Sequence, residues 1–200
     1  AVLGVILGGR LGYGLFYRPD YYLANPLEIL VLWEGGMSFH GGFLGVVAAV
    51  AVWSRRHAVP MWSLGDAVAT AAPPGIFFGR IANFINGELW GRPTVGPWAI
   101  VFPDPRAGGV PRHPSQLYEA ALEGALLFAV MLWLVRRGWL RHPGAMVGVF
   151  FTGYGLARTF VEGFRQGDAQ YVTPSNPNGH IWRLGDSAES WGLTMGQLLS

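Results

Sequence analysis

The apolar residues of this chain are grouped into five long runs, and this grouping constrains the fold more than any other feature. The runs cover about positions 1–17, 41–53, 61–79, 116–135 and 144–162. A helix needs about 20 predominantly apolar residues to cross the hydrocarbon core of a bilayer. Of the 200 residues, 13% are charged, which is about half of the share in an average soluble domain. The pattern therefore predicts an all-α fold, a polytopic helical bundle that is integral to a membrane.

The runs predict about five complete spans, and positions 191–200 read as the start of a truncated sixth. Pro73-Pro74 predicts a kink or an interruption in the third run. The chain opens at Ala1, inside an apolar run and without a Met, so we expect it to be part of a longer protein.

Two basic loops predict the orientation of the spans. Arg55-Arg56-His57 follows the second run, and Arg136-Arg137 follows the fourth. Loops with an excess of arginine stay on the cytoplasmic side of a membrane. The polar segments 80–115 and 163–190 then lie on the outer face, together with the outer ends of the second, third and fifth runs.

The composition excludes several classes of site. The sequence has no cysteine, so disulfides, thiolate nucleophiles and cysteine metal sites are absent. Histidines at metal-ligand spacing, such as H-E-x-x-H, do not occur, and we expect neither a metal nor a cofactor. The net charge is +2, from 14 basic and 12 acidic residues, and no basic stripe indicates a nucleic-acid partner.

The polar residues at the end of the third run are the first candidates for function. Ionisable groups near hydrocarbon are costly, so their presence here favours a function over packing. An arginine offers a planar fork of donors that fits a phosphate, and asparagine amides support the same ligand. These candidates are Arg80, Asn83, Asn86, Glu88 and Gly91.

Four polar residues from the end of the fifth run share one stripe of a helix, because they are spaced by four, four and three. They are Tyr154, Arg158, Glu162 and Arg165. We interpret Arg165 as a salt-bridged residue at the membrane interface, and the deeper Arg158 and Glu162 as functional. Arg80 and Arg158, from different helices, would clamp one lipid phosphate.

His40 lies at the outer end of the second run and is followed by Gly41 and Gly42. A lone histidine is usually structural, but its predicted position beside the outward-facing arginines favours a role as general base. The two glycines would allow a substrate to approach the backbone closely.

Three polar residues of the fourth run, Gln116, Glu119 and Glu123, share one helix face. Buried hydrogen bonding between helices explains them as well as a function does. We therefore rank them below the arginines.

Five sequence blocks, at 9–13, 38–42, 79–91, 113–119 and 154–165, occur in an order that resembles bacterial prolipoprotein diacylglyceryl transferases. The pattern Gly-Arg-x-x-Asn-Phe-x-Asn-x-Glu-x-x-Gly at 79–91 is that family's signature. The resemblance implies an inner-membrane enzyme that moves the diacylglyceryl group of phosphatidylglycerol onto the lipobox cysteine of a prolipoprotein and releases glycerol phosphate. Its partners would be phosphatidylglycerol, the lipobox peptide and the surrounding membrane lipids.

The resemblance also implies roles for single residues. His40 matches the essential histidine of the family, and Arg80 and Arg158 match its phosphate-facing arginines. The other positions that match functionally important residues are Asn83, Glu88, Gly91, Tyr154 and Glu162. We therefore expect one membrane-embedded catalytic domain over 1–200, with its active site toward the periplasmic leaflet.

Three alternatives stay open. Glu162, or another group perturbed by an arginine, could act as the base, with His40 only orienting the substrate. The chain could instead be a transporter or flippase that recognises lipid headgroups without chemistry, although the inner halves of its runs lack the polar groups that such a path needs. A lipid-binding scaffold subunit is the third interpretation.

Overall fold

The computed structural model describes residues 2–16, 18–31, 35–167, 172–173, 176, 179–185, 192–194 and 197. Most of these residues are helical, and the chain divides into two compact units, residues 1–65 and 66–200. All five apolar runs contain helix, as predicted from the sequence.

The first unit is built on two helices that pack through glycine. A Cβ atom added to Gly8 would lie 2.3 Å from the carbonyl oxygen of Gly41, and one added to Gly45 would lie 1.9 Å from that of Gly4. The two backbones are therefore in direct contact, which only glycine allows. The elements of this unit are α1 (Val2–Phe16), α2 (Pro19–Ala24), a 3-10 turn (Pro26–Leu30) and α3 (Phe39–His57).

Arg10 of α1 is buried and holds the connection that leads to α3. Its guanidinium donates to the carbonyl oxygens of Glu28 and Ile29 at 3.0 Å each. It also donates to those of Val31 at 2.6 Å and Gly36 at 3.1 Å. A buried cation needs such partners, so the backbone of this connection is shaped around one side chain.

The second unit contains most of α4 and all later elements. Its elements are α4 (Met61–Ile85), β1 (Ile100–Val101), a 3-10 turn (Pro105–Ala107), β2 (Pro111–Arg112), α5 (Ser115–Glu119), a π-helical segment (Ala120–Leu126), α6 (Leu127–Arg136), a 3-10 turn (Trp139–Arg141), α7 (Ala145–Glu162), β3 (His180–Arg183) and β4 (Gly192–Thr194).

Helix α4 runs through Pro73-Pro74 without a break, so the predicted interruption is wrong, and the alternative of a kink stays a prediction. Proline removes backbone hydrogen bonds, but a helix in an apolar environment still satisfies more backbone groups than a broken one would. The helix ends at Ile85, and Gly87 follows with a φ of +68°. The pair Asn86-Gly87, a common turn signal in a sequence, therefore follows directly on the end of this helix.

One continuous helix of 22 residues, Ser115–Arg136, comprises α5, the π-helical segment and α6. Among the described residues it is the one helix long and apolar enough to cross a membrane, and the shorter helix Val2–Leu15 is also apolar. The π-helical segment faces α4 closely, since a Cβ atom on Gly124 would lie 2.6 Å from that of Phe77. The number of spans stays a prediction.

Asp66 joins α4 to the beginning of α7. Its carboxylate is fully buried and accepts the backbone N–H of Gly144 at 2.7 Å and that of Val147 at 2.9 Å. The first N–H groups of a helix have no partner within the helix, so Asp66 caps α7 from a neighbouring element. The apolar core packs beside this contact around Met131 and Met146.

The polar segments contain strands, and the all-α expectation is wrong there. Strand β1 pairs with β2, and β3 pairs with β4, both antiparallel. Residues 192–194, predicted to begin a sixth span, form β4 because Gly192 pairs with Arg183 and His180 pairs with Thr194. The remaining positions of 191–200, apart from residue 197, lie outside the described residues.

Candidate active site

A buried cluster of charged side chains lies in the second unit, where α4, α5 and the π-helical segment meet the end of α7. We call it the arginine–glutamate cluster. Its members are Arg80, Glu119, Glu123, Arg158, Glu162 and Arg165.

Glu119 is the centre of this cluster, with a side chain that is 1% exposed. Its Oε2 atom lies 2.5 Å from Nε of Arg80. Its Oε1 atom lies 3.5 Å from Nη1 of Arg158 and also accepts a hydrogen bond from Arg165. A carboxylate at this depth needs cations around it, and here one carboxylate has three.

Glu162 forms the second centre. Its Oε2 atom lies 3.0 Å from Nη2 of Arg158 and 3.3 Å from Nε of Arg165. Its Oε1 atom accepts a hydrogen bond of 3.2 Å from the hydroxyl of Thr194. Strand β4 is therefore attached to the charged cluster.

Glu123 is fully buried and more weakly paired. The nearest cation is Nη2 of Arg80, at 3.9 Å, and neither carboxylate oxygen has a hydrogen-bond partner among the described residues. Tyr154 lies near this cluster on α7, where its ring stacks on Phe150 with centroids 5.9 Å apart and packs against the apolar core.

The two arginines predicted to clamp a phosphate remain accessible within the second unit. The side chain of Arg80 is 21% exposed and that of Arg158 is 17% exposed. Each guanidinium has five N–H donors. Nη1 of Arg80 makes no hydrogen bond to any residue that the structure describes, so donors remain for an anionic ligand.

Asn83 and Asn86 bind a neighbouring carboxylate. Both side-chain amides donate to Oε1 of Glu88, at 2.8 Å and 3.3 Å. These two hydrogen bonds, that of Asn83 first, lower the pKa of Glu88. Gln116 holds the same loop, because its amide donates to the backbone carbonyl of Glu88 at 2.5 Å. The predicted contact of these residues with a lipid stays a prediction.

Gly91 is the point where three segments of backbone meet. Its N–H donates to the carbonyl of His113 at 2.9 Å, and the N–H of Arg92 donates to that of Phe164 at 2.9 Å. Nε of Arg92 also donates to the carbonyl of Arg165 at 2.7 Å. A Cβ atom on Gly91 would lie 2.5 Å from the oxygen of Phe164 and 2.7 Å from that of His113.

Gly91→Ala is therefore expected to lower the free energy of unfolding by about 1–3 kcal/mol, the usual cost of overpacking, and to reduce activity by displacing Arg165. Thermal unfolding in detergent measures the first effect. The matched control is Gly148→Ala in α7, where a Cβ atom would meet nothing within 4 Å. Equal melting temperatures for the two variants would contradict the packing argument.

The three candidates of the first unit lie at the start of α3. His40 is exposed, and the ring of Phe39 lies edge-on to it at 5.6 Å. Gly41 and Gly42 are buried, and close packing against α1 accounts for Gly41. Their contact with a substrate stays a prediction.

Sequence reasoning underrated Glu119, Glu123 and Arg165. The salt bridges predicted for Arg165 are confirmed, because its side chain is 17% exposed and pairs with two glutamates; its position at the membrane interface stays a prediction. The sequence signal that could have revealed these residues is charge balance. Arginines removed from water need carboxylates beside them, and the fourth run carries both Glu119 and Glu123. Among the described residues, no group of three His, Asp or Glu side chains is placed to hold a metal ion.

Comparisons with known proteins match the full length of the chain and agree on one family. The family model described as prolipoprotein diacylglyceryl transferase matches residues 1–200. Three relatives are each named phosphatidylglycerol–prolipoprotein diacylglyceryl transferase. The protein of Ruegeria pomeroyi is 60% identical, over 100% of this chain and 69% of its own length. That of Cereibacter sphaeroides is 58% identical, over 100% and 70%. That of Rhodospirillum centenum is 54% identical, over 100% and 68%.

The signature at 79–91 now has a structural explanation, because it supplies Arg80 to the cluster and places Gly91 between two other backbone segments. The family match, the relatives and this geometry lead to one conclusion: the chain belongs to the prolipoprotein diacylglyceryl transferase family.

Proposed function

We propose that this chain transfers the diacylglyceryl group of phosphatidylglycerol to the thiol of a lipobox cysteine in a prolipoprotein and releases glycerol phosphate. The observation that carries the proposal is the gathering of three guanidiniums in the arginine–glutamate cluster. Partly buried arginines with spare donors fit a phosphodiester better than they fit a neutral substrate.

The reaction forms a carbon–sulfur bond and breaks a carbon–oxygen bond. The electron pair of the broken bond goes to the phosphate oxygen, and the thiol proton goes to a base. Negative charge therefore builds up on the leaving phosphate, where Arg80 and Arg158 would stabilise it through fixed N–H donors. A thiol has a pKa near 8.5 in water, so its deprotonation needs a base.

An apolar groove supports a lipid as the substrate. It has a volume of about 390 Å³ and lies between the π-helical segment with α6 on one side and α7 on the other. Leu122 and Leu126 form one wall, and Leu156 and Phe160 form the other. An acyl chain in the groove would lie along the face of α7 that carries Leu156 and Phe160.

We further propose that the protein is a multi-pass protein of the bacterial inner membrane, with one domain over 1–200. The basic loops that follow α3 and α6 would lie in the cytoplasm. The guanidinium of Arg137 lies over the ring of Trp133 at 5.0 Å, a pair that suits the membrane interface. The segments 80–115 and 163–190 would face the periplasm.

We propose His40 as the base that activates the thiol. Its imidazole is exposed in the first turn of α3, and an imidazole accepts a proton near neutral pH. Glu162 is the alternative base, but both of its carboxylate oxygens already lie close to cations or a hydroxyl.

His40→Gln is expected to lower kcat by about 100-fold or more, the contribution typical of general-base catalysis. The measurement is initial rate with a lipobox peptide at saturating phosphatidylglycerol. His57→Gln is the matched control, because His57 is exposed at the opposite end of the same helix. Full turnover by His40→Gln, with loss of turnover in Glu162→Gln, would transfer the base role to Glu162.

The function itself is tested with the purified protein, phosphatidylglycerol vesicles and a lipobox peptide. The expected result is a peptide heavier by one diacylglyceryl group, one glycerol phosphate released per peptide, and no product from a Cys→Ser peptide. Movement of lipid between leaflets without a modified peptide would favour the flippase. Release of glycerol phosphate without the peptide would indicate a lipase.

A further inference from the structure

The phosphate site proposed above is already occupied by an anion that belongs to the protein. Oε2 of Glu119 lies 2.5 Å from Nε of Arg80, and its Oε1 lies 3.5 Å from Nη1 of Arg158. A carboxylate and a phosphodiester each present two oxygens and one negative charge to arginine donors. The side chain of Glu119 therefore resembles the headgroup in charge and geometry.

Glu119 also has a third cation, Arg165, which donates to its Oε1 atom. A clamp of two arginines does not need this third one. Arg165 has two further contacts, because its Nε lies 3.3 Å from Oε2 of Glu162 and its backbone carbonyl accepts a hydrogen bond from Arg92. It is thus a fixed cation, and Glu119 can keep it as a partner when Arg80 and Arg158 turn to another anion.

The other two glutamates do not fit this role. Glu162 is bound to Thr194 and lies one helical turn from Arg158 on the same helix. Glu123 lies 3.9 Å from Arg80. Of the three carboxylates in the cluster, Glu119 alone lies within 3.5 Å of arginines on both α4 and α7.

We propose that Glu119 is an internal competitor of the lipid phosphate: it neutralises Arg80 and Arg158 in the empty enzyme, moves onto Arg165 when phosphatidylglycerol binds, and returns to expel glycerol phosphate. This inference rests on the proposed function. The product phosphate is a monoester with more negative charge than the diester substrate, so arginines alone would hold it more tightly than the substrate. A tethered carboxylate opposes that product inhibition.

The proposal predicts opposite effects for two substitutions in one cluster. Glu119→Gln removes the competing charge, so the KM for phosphatidylglycerol and the inhibition constant of glycerol phosphate should both fall by about tenfold, the scale of one charge-assisted hydrogen bond. Arg165→Gln removes the alternative partner of Glu119, so the KM should rise by about tenfold. Arg165→Lys keeps the charge and is expected to change KM less than Arg165→Gln.

The double variant Glu119→Gln with Arg165→Gln decides between competition and a structural role. The double variant removes one charge of each sign, so the net charge of the cluster is unchanged. It can therefore still be measured if Glu119→Gln or Arg165→Gln alone does not fold. Competition predicts a KM below that of the wild type, because the loss of Arg165 no longer matters without Glu119. A KM above that of the wild type in the double variant overturns the proposal, since it means that Glu119 orients the arginines.

A binding measurement separates this inference from the proposed function. Glycerol phosphate should raise the melting temperature of Glu119→Gln, or of the double variant, more than that of the wild type at equal concentration. A wild type that modifies no peptide rejects the proposed function but leaves this comparison valid. Equal shifts in the wild type and the variants reject the internal competitor even if the transfer reaction is observed.

Discussion

Arg158→Lys is expected to lower kcat/KM for phosphatidylglycerol by about 100-fold or more. The variant keeps the positive charge but loses the planar fork, and Arg158 uses separate nitrogens for separate partners: Nη1 for Glu119 and Nη2 for Glu162. A single ammonium group cannot reproduce this geometry and also bind phosphate in a bidentate manner. Loss of one fixed donor to a developing negative charge typically costs about 10²–10³ in rate. Mass spectrometry of the lipobox peptide, over a range of lipid concentrations, measures the effect.

Arg106→Lys is the matched control for Arg158→Lys. Arg106 is also paired with a carboxylate, Asp104, at 2.7 Å, but its side chain is 81% exposed. Exposed ion pairs contribute little, so this variant should keep its activity within about twofold. Wild-type kinetics in Arg158→Lys would mean that bidentate binding by this arginine plays no part in catalysis.

Asp66→Ala is expected to be the most destabilising substitution in the second unit, with a loss of about 2–4 kcal/mol in the free energy of unfolding. The carboxylate is fully buried and satisfies two N–H groups of α7, from Gly144 and Val147. Loss of a helix cap typically costs about 1 kcal/mol. The buried donors left without a partner add about 1–3 kcal/mol. Activity should fall too, because α7 carries Arg158.

The midpoint of unfolding in detergent measures the effect of Asp66→Ala. The unfolding midpoint of Asp66→Asn should lie between those of Asp66→Ala and the wild type. Its amide keeps one acceptor oxygen but turns two N–H donors toward the backbone N–H groups. Asp20→Ala is the control, because Asp20 is exposed in α2 and surface substitutions usually change stability by less than about 0.5 kcal/mol. A melting temperature for Asp66→Ala equal to that of Asp20→Ala would remove the capping role.

The sequence predicted the helices well because their apolar runs are long. The end of α4 was predictable from Asn86-Gly87, since few residues other than glycine accept the φ of +68° found at Gly87. The strands were not predictable, because β1 and β2 have two residues each. Such short strands depend on partners distant in sequence rather than on a local pattern.

The candidate site also combines residues that the sequence alone identifies with residues that only the fold identifies. The arginines at 80 and 158 were recognisable because charge near apolar runs is rare. Glu119 was not, because it lies in a polar helix start where hydrogen bonding between helices is the simpler explanation. Its importance comes from three cations that α4, α7 and the segment after α7 bring to it, and only the fold shows that convergence.

The way in which Arg10 is bound has a consequence for how this chain tolerates change. The guanidinium contacts main-chain oxygens of Glu28, Ile29 and Val31, and every amino acid has such an oxygen. Replacement of these side chains therefore leaves the hydrogen-bond partners of this cation in place. Gly35 and Gly36 are exceptions, because their φ angles are +77° and +80° and a Cβ atom on Gly36 would also lie 2.5 Å from the ring of Tyr13. Positions whose side chains can change and positions that require glycine thus lie next to each other, shortly before His40.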